Sequence, residues 1–319
     1  MKRLTRSGVH TQLQRRDVLR NAILGVAGMT LGYRAFGQYH SESLDVHELG
    51  ANLVQITGAG ANVVVLEAGD ALLMIDGGLA ERSQGLLDFV AARWPGRRIQ
   101  TLFNTNWSWE HTGSNQALGS AGTTIVAHEK TRLRLATAYY LPEEDRYQKA
   151  LPAEAHPTKT FYTTGDLAVG GERIDYGYLL EAHTDGDIYV FLRNANVLAV
   201  GDAVSPLRDP ALDWFGGGWL GGRVDSLARL LAISDERTQF VPSYGPVVSR
   251  AQVQAEHDIM LKLFERMVEL VRKGDSAEDI LAAGVMDGLD RSFDDPLKFV
   301  HDAHKGLWAH HNTLSPDVV

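Results

Sequence analysis

The feature that most constrains this chain is that one order of elements occurs twice: a group of short apolar runs at strand length, then a helical stretch. In the first half the runs 52–56, 62–67 and 71–75 lie between the turn signals Gly58-Ala59-Gly60 and Gly69-Asp70, which predicts a meander of antiparallel strands. A helix is expected over 79–94, with Leu79, Leu86, Leu87, Val90 and Ala91 on one side and Pro95-Gly96 as its stop. A strand at 99–103, a polar loop, a short helix near 115–118 and a strand at 124–127 complete this half. The second half predicts strands near 161–163, 173–180, 188–192 and 197–200, a helix at 224–233, a strand near 240–241 and a long helix over 251–273. In that helix Val253, Met260, Leu261, Phe264, Met267, Val268 and Val271 recur at three- and four-residue steps, and Gly274 follows. Ser276 and Asp279 have the spacing of a capping signal for a further helix. Two such halves argue for two sheets packed face to face with helices outside, an α+β protein.

Composition narrows the chemistry. The chain of 319 residues has no cysteine, which removes disulfides, thiolate metal sites, iron–sulfur clusters and cysteine nucleophiles, while 12 histidines leave imidazole chemistry open. The net charge of −9 is unevenly distributed. Residues 1–37 hold seven basic side chains against Asp17 alone, so the rest of the chain is more acidic than the total and is expected not to bind nucleic acid. Within that basic segment, Arg15-Arg16-Asp17-Val18-Leu19 followed by the uncharged stretch 22–33 and by Ala35-Phe36-Gly37 resembles a twin-arginine export signal. The resemblance implies recognition by the twin-arginine translocation machinery, removal of residues 1–37, a periplasmic location and no stable membrane anchor afterwards. The uncharged run is too short to span a bilayer.

The loop after the strand at 99–103 concentrates the polar residues. Its sequence, Asn104-Thr105-Asn106-Trp107-Ser108-Trp109-Glu110-His111-Thr112-Gly113-Ser114-Asn115, resembles the metal-binding loop of the metallo-β-lactamase superfamily. Asp76-Gly77-Gly78, Ala182-His183-Thr184-Asp185-Gly186-Asp187, Gly201-Asp202 and Pro242-Ser243-Tyr244-Gly245-Pro246 follow that family's order from about residue 45 to 250. The resemblance implies a four-layer αββα sandwich over residues 38–319, with a helical extension over 251–312. It also implies metal ligands, of which His111, His183 and Asp202 are kept. Glu110 stands for an aspartate, and Asn106, Ser108 and Tyr244 stand where histidines belong. Amide and hydroxyl oxygens bind zinc poorly beside imidazole, so a two-zinc centre is not expected. A single divalent or ferric ion (zinc, iron or manganese) held by His111, Glu110, Asp202, His183 and Tyr244 is one expectation, and no ion at all is the other.

Two function classes follow. The first is an exported hydrolase-like protein in which an ion activates water, with Glu110 and His183 in catalytic roles. The second is a non-catalytic protein of the same fold that binds a small molecule through its cleft. The cleft residues expected are Asn106, Trp107, Ser108 and Trp109 from the loop, and Trp214 and Trp219 from the glycine-rich segment 213–222.

Overall fold

The computed structural model describes residues 43–141 and 145–310; the export-signal expectation falls outside them. The strands are β1 (Asp45–Gly50), β2 (Leu53–Thr57), β3 (Val63–Ala68), β4 (Ala71–Ile75), β5 (Arg98–Phe103), β6 (Thr124–His128), β7 (Tyr139–Leu141), β8 (Arg146–Gln148), β9 (Lys159–Phe161), β10 (Thr164–Val169), β11 (Glu172–Tyr178), β12 (Ile188–Leu192), β13 (Val197–Gly201), β14 (Gln239–Pro242) and β15 (Val248–Ser249). The helices are α1 (Ser83–Arg93), α2 (Trp109–Thr112), α3 (Asn115–Ser120), α4 (Glu129–Ala136), α5 (Leu220–Ile233), α6 (Arg250–Lys273), α7 (Ala277–Ala282) and α8 (Pro296–Ala309).

One sheet has the order β1-β2-β3-β4-β5-β6-β9 and the other runs β10 to β15 in sequence order, while β7 and β8 form a separate hairpin. Strands alternate their side chains between faces, and here both faces are covered, so the central strands read as unbroken apolar runs. In β4, Leu73 and Ile75 enter the core between the sheets, whereas Leu72 and Met74 join Leu86, Val90 and Trp94 under α1. In β13, Val197 and Ala199 face the other sheet, and Leu198 and Val200 pack against α5 to α8. Three separate cores therefore lie between four layers, as the family resemblance implied.

The order of pairing places the loops. The pairs β4/β5, β5/β6 and β13/β14 are parallel, with α1 and α5 as the first and last crossovers. Parallel strands end on the same edge. Asp76, Asn104, Asp202 and Ser243 each follow directly on the last residue of β4, β5, β13 and β14, so four distant segments converge there. The β10–β11 turn shows how tightly the layers approach: Gly170 and Gly171 both have positive φ, 57° and 84°, and a Cβ on Gly170 would lie 2.4 Å from the Ala68 Cα. The expected long helix begins at Arg250, where Ser249 and Gln252 form a capping box, and ends at Gly274 with φ 90°.

His128 joins β6 to α4 as a neutral ring. Its Nδ1 accepts from the Lys130 N–H at 3.3 Å, its Nε2 lies 3.2 Å from the Tyr162 carbonyl, and its ring stacks on Tyr178 at 3.9 Å. Burial lowers its pKa from 6.5, against the opposing Tyr162 bond. The unfolded chain therefore takes up this proton first as pH falls. The stability tied to neutral His128 is present above pH 6.5 and is lost toward its lower folded value. Replacing His128 with Gln should make the loss of unfolding free energy as pH falls below ~6.5 shallower, as read from urea titrations at each pH.

Candidate functional site

His111 lies at the centre of the convergent edge and has no exposed surface. Its Nδ1 is 3.0 Å from Asp76 Oδ2, and its Nε2 is 2.8 Å from Asp202 Oδ2. A ring with a carboxylate at each nitrogen satisfies both only by donating twice, that is, as an imidazolium. Burial alone would lower the pKa of His111, but Asp76 and then Asp202 outweigh it and hold the ring protonated well above the ordinary imidazole range.

Each carboxylate is in turn held by the chain. Asp76 sits at φ 63°, a left-handed conformation that Asp tolerates better than most residues, and accepts from the Thr105 N–H and hydroxyl, both at 2.8 Å. The Asn106 amide nitrogen donates to Asp202 Oδ2 at 2.8 Å, and its oxygen accepts from the Ser108 N–H at 2.8 Å. Burial opposes ionisation of Asp202, but His183, His111 and Asn106 hold its carboxyl well below the usual range. The loop is anchored at its far end by Asn104 and Asn115, whose amides bond each other at 3.0 and 2.9 Å. Gly113 passes so close to residues 78–80 that a Cβ would lie 2.2 Å from the Ala80 nitrogen.

A second group lies around Tyr244 and His183. Asp187 holds the His183 loop by accepting from the N–H groups of His183 and Thr184 at 2.5 and 2.8 Å, while burial pushes its pKa up to about 6. His183 Nδ1 is 3.7 Å from Asp202 Oδ2, beyond hydrogen-bond distance, and is buried without a partner. The Tyr244 hydroxyl is also buried without a well-formed hydrogen bond. Burial and then the carboxylates of Glu110 and Asp202 push its pKa up, so it remains a phenol. The Arg208 guanidinium lies over its ring, 3.3 Å from the centroid.

The aromatic residues expected at the cleft take different positions. Trp107 is buried and donates from Nε1 to Asp185 at 3.0 Å, with Arg134 5.3 Å from its ring, so it fastens the loop. Trp109 is 68% exposed beside Glu110 and is the side chain of the loop most open to a ligand. Trp214 packs edge-on against Phe215. Trp219 instead turns toward the C-terminal helices, stacked on His310 at 4.4 Å and edge-on to Phe264, because a tryptophan at the start of α5 faces the core beneath α6 and α8.

The sequence reading did not single out Asp76, Thr105, Ser243 or Arg208 as site side chains. Asp76 carried the available signal, an acidic residue between an apolar strand and two glycines. Ser243, 3.4 Å from His111 Nε2, had none. Among the described residues no group of three or more His, Asp or Glu side chains is placed to hold a metal ion.

A family model for the metallo-beta-lactamase superfamily matches residues 56–240. No curated protein matches the sequence. Among solved structures, a metallo-beta-lactamase from Pontibacter korlensis is similar at 18% identity and TM-score 0.57, covering 69% of this chain and 99% of that one. The sec-alkylsulfatase Pisa1 from a Pseudomonas species is similar at 15% identity and TM-score 0.62, covering 84% of this chain and 50% of that one. At these identities the likeness is one of fold.

The Asp76 pair is the interaction on which the loop rests. Asp76→Asn keeps the shape and the tolerance of positive φ but breaks a buried ion pair, and should lower the unfolding free energy by about 3 kcal/mol, measured as a fall in the urea midpoint at unchanged m.

Proposed function

The chain belongs to the metallo-beta-lactamase superfamily, and from that premise we propose that it is an exported, hydrolase-like protein that has lost the family's metal centre and binds a small molecule without hydrolysing it. Members of the superfamily typically bind metals such as zinc. The observation that carries the proposal is the shared oxygen Asp202 Oδ2, which accepts from both His111 Nε2 and Asn106 Nδ2 at 2.8 Å. A metal ligand must offer a lone pair, and these two nitrogens spend theirs otherwise: the imidazolium nitrogen on a proton, the amide nitrogen on its own conjugation. The donor set does not fit a two-zinc centre, since it also lacks imidazole at Ser108 and Tyr244. The positive charge beside Asp76 and Asp202 is supplied here by His111.

Without a Lewis acid, water keeps the high pKa of the bulk liquid and is a weak nucleophile. What remains is a set of polar groups for recognition: the Ser108 hydroxyl, Glu110, His183 and Tyr244, with Trp109 beside them. Export rests on the Arg15-Arg16 signal, and the absence of cysteine suits an oxidising compartment. A second reading, a water-activating hydrolase with one ion on Glu110, His183, Asp202 and Tyr244, is favoured by His183 Nδ1, buried without a partner, and by the buried Tyr244 hydroxyl beside Glu110 and Asp202.

Elemental analysis of the full chain purified after export, without added metal or chelator, separates the two. The proposal expects far less than one metal per chain; a stoichiometric content of zinc, iron or manganese overturns it in favour of the second reading. Restoring the family residues by combining Asn106→His, Ser108→His, Glu110→Asp and Tyr244→His should raise zinc affinity by about four orders of magnitude or more, at roughly 3 kcal/mol per recovered ligand. Competition with a chromophoric chelator measures it.

A further inference from the structure

Arg223, on α5, has a side chain with no exposed surface, an expensive place for a guanidinium. Its Nη1 donates to the backbone carbonyl of Asp202 at 2.8 Å, and its Nη2 donates to the Ser205 hydroxyl at 2.9 Å and to Glu256 Oε1 at 2.7 Å. Glu256, on α6, is 6% exposed and also accepts from the Ser205 N–H, at 3.2 and 3.1 Å to its two oxygens. Arg291, between α7 and α8, donates to the carbonyls of Ser205, at 2.8 Å, and Arg208. Asp209 accepts from the N–H groups of Asp294 and Asp295. The segment 202–209 begins with the carboxylate that meets His111 and includes the guanidinium that covers Tyr244. It is thus gripped from behind by α5, by α6 and by the stretch before α8.

A buried ion pair is a poor way to gain stability, because apolar side chains of the same volume often serve as well or better. This pair does something an apolar pair cannot, since one planar fork reaches three acceptors on two different elements. The peptide before Asp202 is held at its Gly201 carbonyl, which accepts from the Ser243 N–H at 2.9 Å, and the carbonyl after its Cα is held by Arg223. With both ends held, the Asp202 Cα–Cβ bond is aimed at the site, and the carboxylate it carries meets His111 and Asn106. We propose that Arg223 and Glu256 are positioning residues that aim the Asp202 carboxylate, which makes the C-terminal helical extension part of the site.

A role confined to tying α5 to α6 would alter stability and leave Asp202 where it is. The test is therefore read at the two donors to Asp202, in the full-length, uniformly 15N-labelled chain by NMR: the Asn106 side-chain NH2 and the His111 Nε2–H. Arg223→Lys keeps a charge for Glu256, but one ammonium cannot span the three acceptors. In that variant the Asn106 NH2 and His111 Nε2–H resonances should shift or broaden away, while the His111 Nδ1–H resonance, directed at Asp76, stays in place. A folded Arg223→Lys protein with the Asn106 and His111 Nε2–H signals at their original positions overturns the proposal. Should Arg223→Lys not fold, Arg223→Met with Glu256→Met removes both charges together and is read in the same way, with unchanged Asn106 signals again overturning it. The wild-type spectrum keeps this test apart from the functional reading. Absence of a His111 Nε2–H resonance there counts against the metal-free site, and the Asn106 signal still reports on Arg223.

Discussion

A charged imidazole ring with no access to water must find its counter-charges in the chain itself, and His111 finds two. Asp76 comes from the end of β4 and Asp202 from the end of β13, so the ion pairs join the two sheets at the edge where their parallel strands finish. One positive charge between two carboxylates leaves an excess of negative charge. Donors from the intervening loop balance it, Thr105 on Asp76 and Asn106 on Asp202. Loosening any one of these contacts leaves a buried charge short of partners, which is why the conformation of residues 104–111 is set by electrostatics as much as by packing.

The layered architecture was legible in the sequence because it rests on unbroken apolar runs of strand length, on helical periodicity and on glycine punctuation, all local signals. The strands at 188–192 and 71–75 and the stop of α6 at Gly274 appear where the patterning put them. The loop could also be located, since the spacing of Asn104, His111, Gly113 and Asn115 survives in full. Its internal connections could not. That Asn106 turns its amide nitrogen onto a carboxylate 96 residues away, or that Ser243 approaches the same ring, depends on which strands run parallel, and no local pattern encodes that. Trp219 shows the same limit in another form: its neighbours in sequence are mostly glycines, but its neighbours in space are Phe264 and His310.

The site is also asymmetric in its tension. Both His111 nitrogens and the Asn106 amide have partners, whereas on the other side His183 Nδ1 is buried without one and the buried Tyr244 hydroxyl makes no well-formed hydrogen bond. Unpaired groups of that kind cost free energy in the folded chain, on the order of 1–3 kcal/mol each, and a guest that hydrogen-bonds them recovers part of it. For the proposed binding role, part of the affinity for a polar molecule would in this sense be stored in the protein beforehand.

Trp107 carries a wider consequence. Its indole is fastened by Asp185, and Arg134 both binds that carboxylate and lies against the ring, so the segment corresponding to the family's metal loop is tied down by tryptophan, arginine and aspartate. Those tethers need no ion to form, so they contribute to the segment's order equally where zinc is scarce and where it is plentiful.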